Sequence, residues 1–505
     1  MPWRGKKDSG LKAVPFRYHP PEQHNRKKFI PMTNCFLSEG YTNKTAGGLR
    51  WILHRQHSFL VPYLERIKEN PGGFLVNIPR KHRYKTMGEF EAVHENRTET
   101  YLVKKYTYPR FTQKIKQFFK HTRGFNEFNM TFLAAQKGVP VEIPVAYGER
   151  KHVFTQESYI VIRKIKNSRS VREYFRDNAP HKEKKDVLEK FGRLAKTIHD
   201  AGIRQDAFSL DNFLVYDENG SKKVIVIDFE MVSILPKGIR HTLRIWYLAK
   251  LNREKRYFTN TDRLRFLLSY TDGDFGTCKK LAREIETLTI AMQKKDAKKL
   301  SGLCTNENRK FGIFKDTAFS GYYNKRYPPD MLLKLLEIPG NTPERFLHIN
   351  QFRIWRCDEA GRRPDCRTLA HIWGCVNALS AMKINIPIPA GIFLKNLSGT
   401  QQEIFLISQM PDNCVPLSQC HDLHPGKNLL PVFLKFAEQI SPFGVLDRKL
   451  TPHDMLVQRK ENRSPKCYLG NHTSFHTNEL SAEKNRLINT QIMKHLLQTS
   501  GTQDQ

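Results

Sequence analysis

The sequence predicts an α+β fold made of two tandem units, each a small β-rich lobe followed by a mainly helical one. Three observations lead there. The chain has 505 residues, too many for one hydrophobic core and enough for two domains of about 200–250 residues. Segments such as TETYLVKKY and SYIVIRKI alternate polar and apolar residues like half-buried strands, and a helix-patterned region follows them. The same succession recurs in the second half of the chain, where QFRIWRC, IPIPAGIF and EIFLISQM answer TYLVKKY, VEIPVAYG and SYIVIRKI.

Taken in order, residues 1–69 form a basic leader and a helix. The leader to residue 45 is rich in Pro, Lys and His, and residues 49–69 read as a helix kinked at Pro62. The first domain spans 70–290. Its β-rich lobe reaches about residue 165, and its helical lobe starts at SVREYFRDNAP. The helix DVLEKFGRLAKTIHDAG closes on Gly202, a residue suited to a C-cap. The lysine-rich AMQKKDAKKLSG links to a second domain at 310–497, and the polar tail frays.

The stretch from His199 to Glu230 carries the chemistry. A polar loop ends in Asn212, and sixteen residues later the β-branched run VIVI delivers Asp228 and Phe229. Two oxygen donors so placed suit a hard cation, Mg²⁺, carrying nucleotide phosphates. A plain β-hairpin with a capping Asn and a surface Asp fits the same residues. Upstream, Lys104 lies on the strand TETYLVKKY, and Glu127 lies on the helix RGFNEFNMTFLAAQKGV, where it can orient the ammonium. The ordered series Lys104, Glu127, Asn212, Asp228, each on the right element, is the constellation of a kinase catalytic site.

With these residues in view, AAQKGVPVEIPVAYGER, HDAGI, NFLV, VIVIDFE and LAKL with TDRLRFLLSY resemble the lipopolysaccharide core kinases, which phosphorylate Kdo or heptose sugars. That family is an atypical branch of the protein-kinase fold, so the resemblance implies protein-kinase-like domains. It implies ATP and Mg²⁺ as cofactors, with Lys104 bridging the phosphates, Glu127 orienting it, and Asn212 and Asp228 on the metal. It also implies transfer of the γ-phosphate to a sugar hydroxyl of an anionic glycolipid at the cytoplasmic face of a bacterial inner membrane. Two departures stand out. No glycine-rich phosphate loop is present, only Gly88 in NIPRKHRYKTMGEFEAV. The catalytic aspartate of this fold precedes the metal asparagine by five residues, which here is Ala207; Asp206 stands one residue early. Either a one-residue bulge brings Asp206 into place as the base, or the base is missing.

The repeat bears on that register. Residues 440–475 align without a gap with the first loop, setting Gly202 against Gly444, Asn212 against Asp454 and Asp228 against Gly470. Trp355 then stands for Lys104, His371 or Ile372 for Glu127, and Lys449 at the catalytic position. The second unit reads as a kinase-like domain that has lost its chemistry, unless two β-rich segments agree by chance. Its register favours Ala207 as the base position of the first.

Composition bounds the rest. No apolar run approaches the roughly 20 residues that span a bilayer, and the N-terminal MPWRGKKDSG has no apolar core of a secretory signal. Nine cysteines without any C-x-x-C fit reduced thiols in a cytoplasmic protein. The net charge of +34 calls for an anionic partner. The segment 111–123, FTQKIKQFFKHTR, suits an anionic membrane surface, while nucleic acid is the competing partner. Two function classes follow: an ATP-dependent sugar kinase peripheral on the membrane, or a catalytically inactive pseudokinase pair that binds nucleotide or a partner as a scaffold.

Overall fold

The computed structural model describes residues 40–69, 76–82, 85–108, 121–151, 155–177, 180–337, 346–357, 366–396, 402–420, 429–446, 450–458, 465–470, 475–477 and 481–499. The leader to residue 39, most of the basic segment 111–123, Lys449 and the last six residues lie outside them. The chain divides into two compact units, one running to Leu133 and including Glu142–Ile165, the other holding Ala134–Val141 and everything from Lys166.

The first unit is an antiparallel sheet of β1 (Tyr41–Ala46), β2 (Leu49–His54), β3 (Val76–His82), β4 (Lys85–His94), β5 (Arg97–Thr107), β6 (Ala146–Lys151) and β7 (Thr155–Arg163), in the order β1-β2-β6-β7-β5-β4-β3. Two helices cover it, α1 (Val61–Glu69) and α2 (Arg123–Gln136). Strand alternation sorts the side chains. Trp51, Leu53, Tyr101 and Val103 join Leu60, Leu64 and Ile67 in one core, while Tyr106, Tyr147 and Ile160 meet Phe128 and Phe132 in another. The helix expected over 49–69 is therefore corrected: Leu49, Trp51 and Leu53 are buried at strand period, residues 55–60 are a 3₁₀ turn, and only Val61–Glu69 is α-helical. Pro62 causes no kink because it lies in the first turn, where its missing N–H is needed by no partner. Gly88 lies inside β4 opposite Val103, not in a turn.

The second unit opens with β8 (Arg169–Ser170), α3 (Val171–Arg176) and α4 (His181–Asp200). Ser170 and Glu173 close a reciprocal capping box on α3. Gly202, at φ +76°, ends α4 with backbone that a side chain would strain, and a Cβ there would meet the Leu235 carbonyl at 2.4 Å. Next come β9 (Ile203–Gln205), β10 (Phe213–Glu218), β11 (Ser221–Val226) and β12 (Val232–Ile234), pairing as β11-β10-β8 and β12-β9. Helices α5 (His241–Asn252), α6 (Asn260–Tyr270) and α7 (Phe275–Leu303) follow. The lysine-rich AMQKKDAKKLSG is the end of the continuous helix α7, which buries Ile285, Thr289, Gln293 and Ala297. Gln293 donates to the Met382 carbonyl at 3.0 Å, so α7 is docked.

Beyond α7 lie β13 (Phe311–Lys315), β14 (Phe319–Asn324), α8 (Pro329–Glu337), β15 (Phe346–Ile349), β16 (Phe352–Cys357), α9 (Cys366–Ala381), β17 (Ile388–Asn396) and β18 (Gln402–Gln409). Their sheet runs β13-β14-β17-β18-β16-β15, the order of β1-β2-β6-β7-β5-β4 in the first sheet. β19 (Cys414–Pro416), α10 (Leu430–Ile440), β20 (Gly444–Leu446), β21 (Met455–Gln458), β22 (Lys466–Leu469), β23 (Phe475–Thr477) and α11 (Ala482–Thr499) complete the chain. The sheets β19-β21-β22 and β20-β23 repeat the pattern of β8-β10-β11 and β9-β12.

Candidate functional site

In the first unit, strand period 2 turns Lys104 and Tyr106 toward α2. The Lys104 ammonium pairs with Glu127 Oε1, and the Tyr106 hydroxyl donates to Glu127 Oε2. The side chains of Lys104 and Glu127 are only 7% and 2% exposed, which makes this a desolvated pair rather than a surface contact. Sequence reading singled out Lys104 and Glu127 but missed Tyr106, although it stands two residues from Lys104 on the same strand face.

In the second unit, Asn212 ends a 3₁₀ turn, Leu210–Asn212. Its amide nitrogen donates to the Ala207 carbonyl at 2.7 Å, leaving Oδ1 as the atom it can offer a cation. Its own carbonyl accepts from the Ile227 N–H at 2.9 Å, which ties the loop to the end of β11. Asp228 follows in the left-handed region at φ 67°, a sparsely populated conformation that concentrates at functional sites. Gln205 holds it there, its side-chain amide donating to the Ile227 and Asp228 carbonyls at 3.2 and 3.1 Å. Phe229 is buried behind it. Gln205 is a second residue that sequence reading did not single out.

Asp206 and Ala207 are both exposed. Asn212 closes on the carbonyl of Ala207, five residues back, and Lys250 donates to the carbonyl of Asp206. The Asp206 carboxylate lies 3.4 Å from Arg204 Nε.

Matching hydrogen bonds give the register of the second sheet against the first. Val226 N–H donates to the Pro140 carbonyl at 3.1 Å, and Leu469 N–H to that of Asn385 at 3.0 Å. The ends of α2 and α9 agree, through Val139 to Ala134 and Ile384 to Leu379. Counting back from these ends sets Ile372 at the place of Glu127. Trp355 pairs with Leu406 across the sheet as Lys104 pairs with Ile160. Trp355 and Ile372 lie in one hydrophobic core, so an apolar pair stands where the first sheet has an ion pair. The gapless alignment of Asp228 with Gly470 is corrected. Phe213 pairs with Val226, but Met455 pairs with Leu469, so the second hairpin is one residue longer. Gly470 matches Ile227, and the counterpart of Asp228 is Asn471, outside the described residues. Buried Arg353 reaches this corner, donating to the His453 carbonyl at 2.9 Å, and burial pushes its guanidinium down to about 10.

Residues 77–270 match the model of the lipopolysaccharide kinase (Kdo/WaaP) family. No curated protein matches the chain. Among solved structures, WaaP in complex with acyl carrier protein is similar at 19% identity over 47% of this chain and 99% of that one, with a TM-score of 0.36. Among the described residues, no helix is long and apolar enough to cross a membrane.

Proposed function

We propose that the protein is a Mg²⁺- and ATP-dependent phosphotransferase that moves the γ-phosphate to a sugar hydroxyl of an anionic glycolipid. The buried Lys104–Glu127 pair carries this reading. Taking two charges out of water is expensive, and an apolar pair of similar size packs at least as well, as Trp355 and Ile372 do in the second sheet. A cation kept at that expense is one that phosphates use. Bound Mg²⁺ supplies charge neutralisation to the nucleotide phosphates. Lys104 is the phosphate-binding cation, oriented by Glu127 and Tyr106. Asn212 Oδ1 and the Asp228 carboxylate are the oxygen donors for the metal, and Gln205 positions Asp228. Asp206 is the carboxylate beside the base position. The net charge of +34 favours an anionic membrane surface or glycolipid as partner, at the cytoplasmic face.

Ala207 favours a second reading, in which the chain binds nucleotide as a pseudokinase scaffold without transfer. Incubation with Mg²⁺ and γ-labelled ATP, alongside thermal shift, separates the two. At a hundredfold excess over Kd, Mg-ATP stabilises the wild type by about 2.7 kcal/mol. Asp228→Ala abolishes that response, because the metal loses its carboxylate. A mutant that responds like the wild type refutes the site, and stabilisation without transfer leaves the scaffold.

A further inference from the structure

We propose that Lys250 is the positioning cation of the catalytic loop, standing where the loop has lost its carboxylate. This rests on the kinase reading above and adds a residue to it. Lys250 is on α5, half-buried, with its ammonium 4.4 Å from the centre of the Trp246 ring one helical turn earlier. It donates to the carbonyl oxygen of Asp206, in the peptide group that joins Asp206 to Ala207. Two side chains therefore hold this exposed stretch of backbone from opposite ends: Asn212 by the Ala207 carbonyl and Lys250 by the Asp206 carbonyl. The charged groups around the amine are the Asp206 carboxylate and Arg253; burial, aided by Arg253, outweighs the carboxylate and makes the amine less basic than a free lysine. A lysine at a surface can extend into water and keep its rotamer freedom. Lys250 is instead folded onto a tryptophan and one loop carbonyl.

The chemistry explains how a cation can serve there. In the transfer, a bond forms between the acceptor oxygen and the γ-phosphorus while the bond to the β,γ-bridging oxygen breaks. The electron pair leaves with ADP, and the acceptor proton passes to water at the exposed loop. Such transition states are loose, with charge spread over the phosphoryl oxygens and little demand for early proton removal. A fixed positive charge at the acceptor side stabilises that distribution. Losing the carboxylate at Ala207 is then tolerable, and losing the cation is not.

Lys250→Met and Lys250→Arg in the full chain test this. Lys250→Met keeps the stem on Trp246 and removes the charge. It lowers kcat by roughly 10²-fold, the scale of one preorganised electrostatic group, while KM for ATP and the melting temperature hold. Lys250→Arg recovers part of the loss. Turnover of Lys250→Met equal to wild type overturns the proposal. Independently of turnover, acetic anhydride labelling read by mass spectrometry should show Mg-ATP protecting Lys250 but not the exposed Lys294 and Lys298 of α7. Transfer without that protection overturns the role of Lys250 alone. A wild type with neither transfer nor Mg-ATP stabilisation overturns the kinase reading, and Lys250 falls with it.

Discussion

Replacing Glu127 by Leu removes the carboxylate that pairs with the Lys104 ammonium, whose side chain is 7% exposed, and that accepts from the Tyr106 hydroxyl. Removing one partner of a buried pair is worth about 3–5 kcal/mol, because the remaining charge keeps its desolvation cost and loses that partner's attraction. The second sheet points to the remedy. With Trp355 and Ile372 in the corresponding places the core closes without charge, so the double change Lys104→Met/Glu127→Leu should return most of the loss. The two substitutions touch one another, so they are coupled and their effects do not add. Hydrogen exchange of the β5 and α2 amides reads the local opening free energy directly. At about 1.4 kcal/mol per decade, Glu127→Leu speeds exchange by roughly two to three and a half decades, and the double mutant stays within about one decade of wild type. Mg-ATP protects the wild type and neither mutant. A double mutant as fast as Glu127→Leu refutes the argument, since the penalty would then come from shape and not from stranded charge.

Two further predictions concern the second unit. A Cβ on Gly470 would come within 2.1 Å of Arg353 Nη1 and 2.9 Å of the Asp454 carbonyl, so Gly470→Ala destabilises by about 1–3 kcal/mol with the Mg-ATP response intact. Urea denaturation checks it, and an unchanged midpoint contradicts the packing. His199 is fully buried against Tyr270 at 2.8 Å, and burial, aided by Arg244, pushes its imidazole down to about 3. The folded state thus holds it neutral while the unfolded chain binds a proton near pH 6.5, so its contribution is complete above 6.5 and declines toward pH 3. From pH 6.5 to 5 the wild type should lose about 2 kcal/mol more than His199→Gln, read as the difference between their melting curves. Parallel curves refute it.

What could be read from the sequence was local and periodic. The alternation in TETYLVKKY already set Lys104 on the face of its strand that α2 covers. The run VIVI before Asp228 and the glycine after α4 marked a strand end and a cap, because β-branched residues and positive φ are short-range preferences. Where two periods fit the same residues, only packing decided. The segment LRWILH satisfies a helix or a strand, and it became β2 because β1 and β6 supply hydrogen-bonding partners on both sides. The one extra residue in the β21–β22 hairpin was invisible in a gapless alignment, since register comes from cross-strand pairing rather than from counting. Lys250 stands 44 residues from Asp206 and Arg353 100 from His453, and no spacing rule joins them. Sequence alone determined which residue types were available for phosphate and metal chemistry. The tertiary structure decided which of them are held together, because burial and hydrogen bonding act between residues that are distant along the chain.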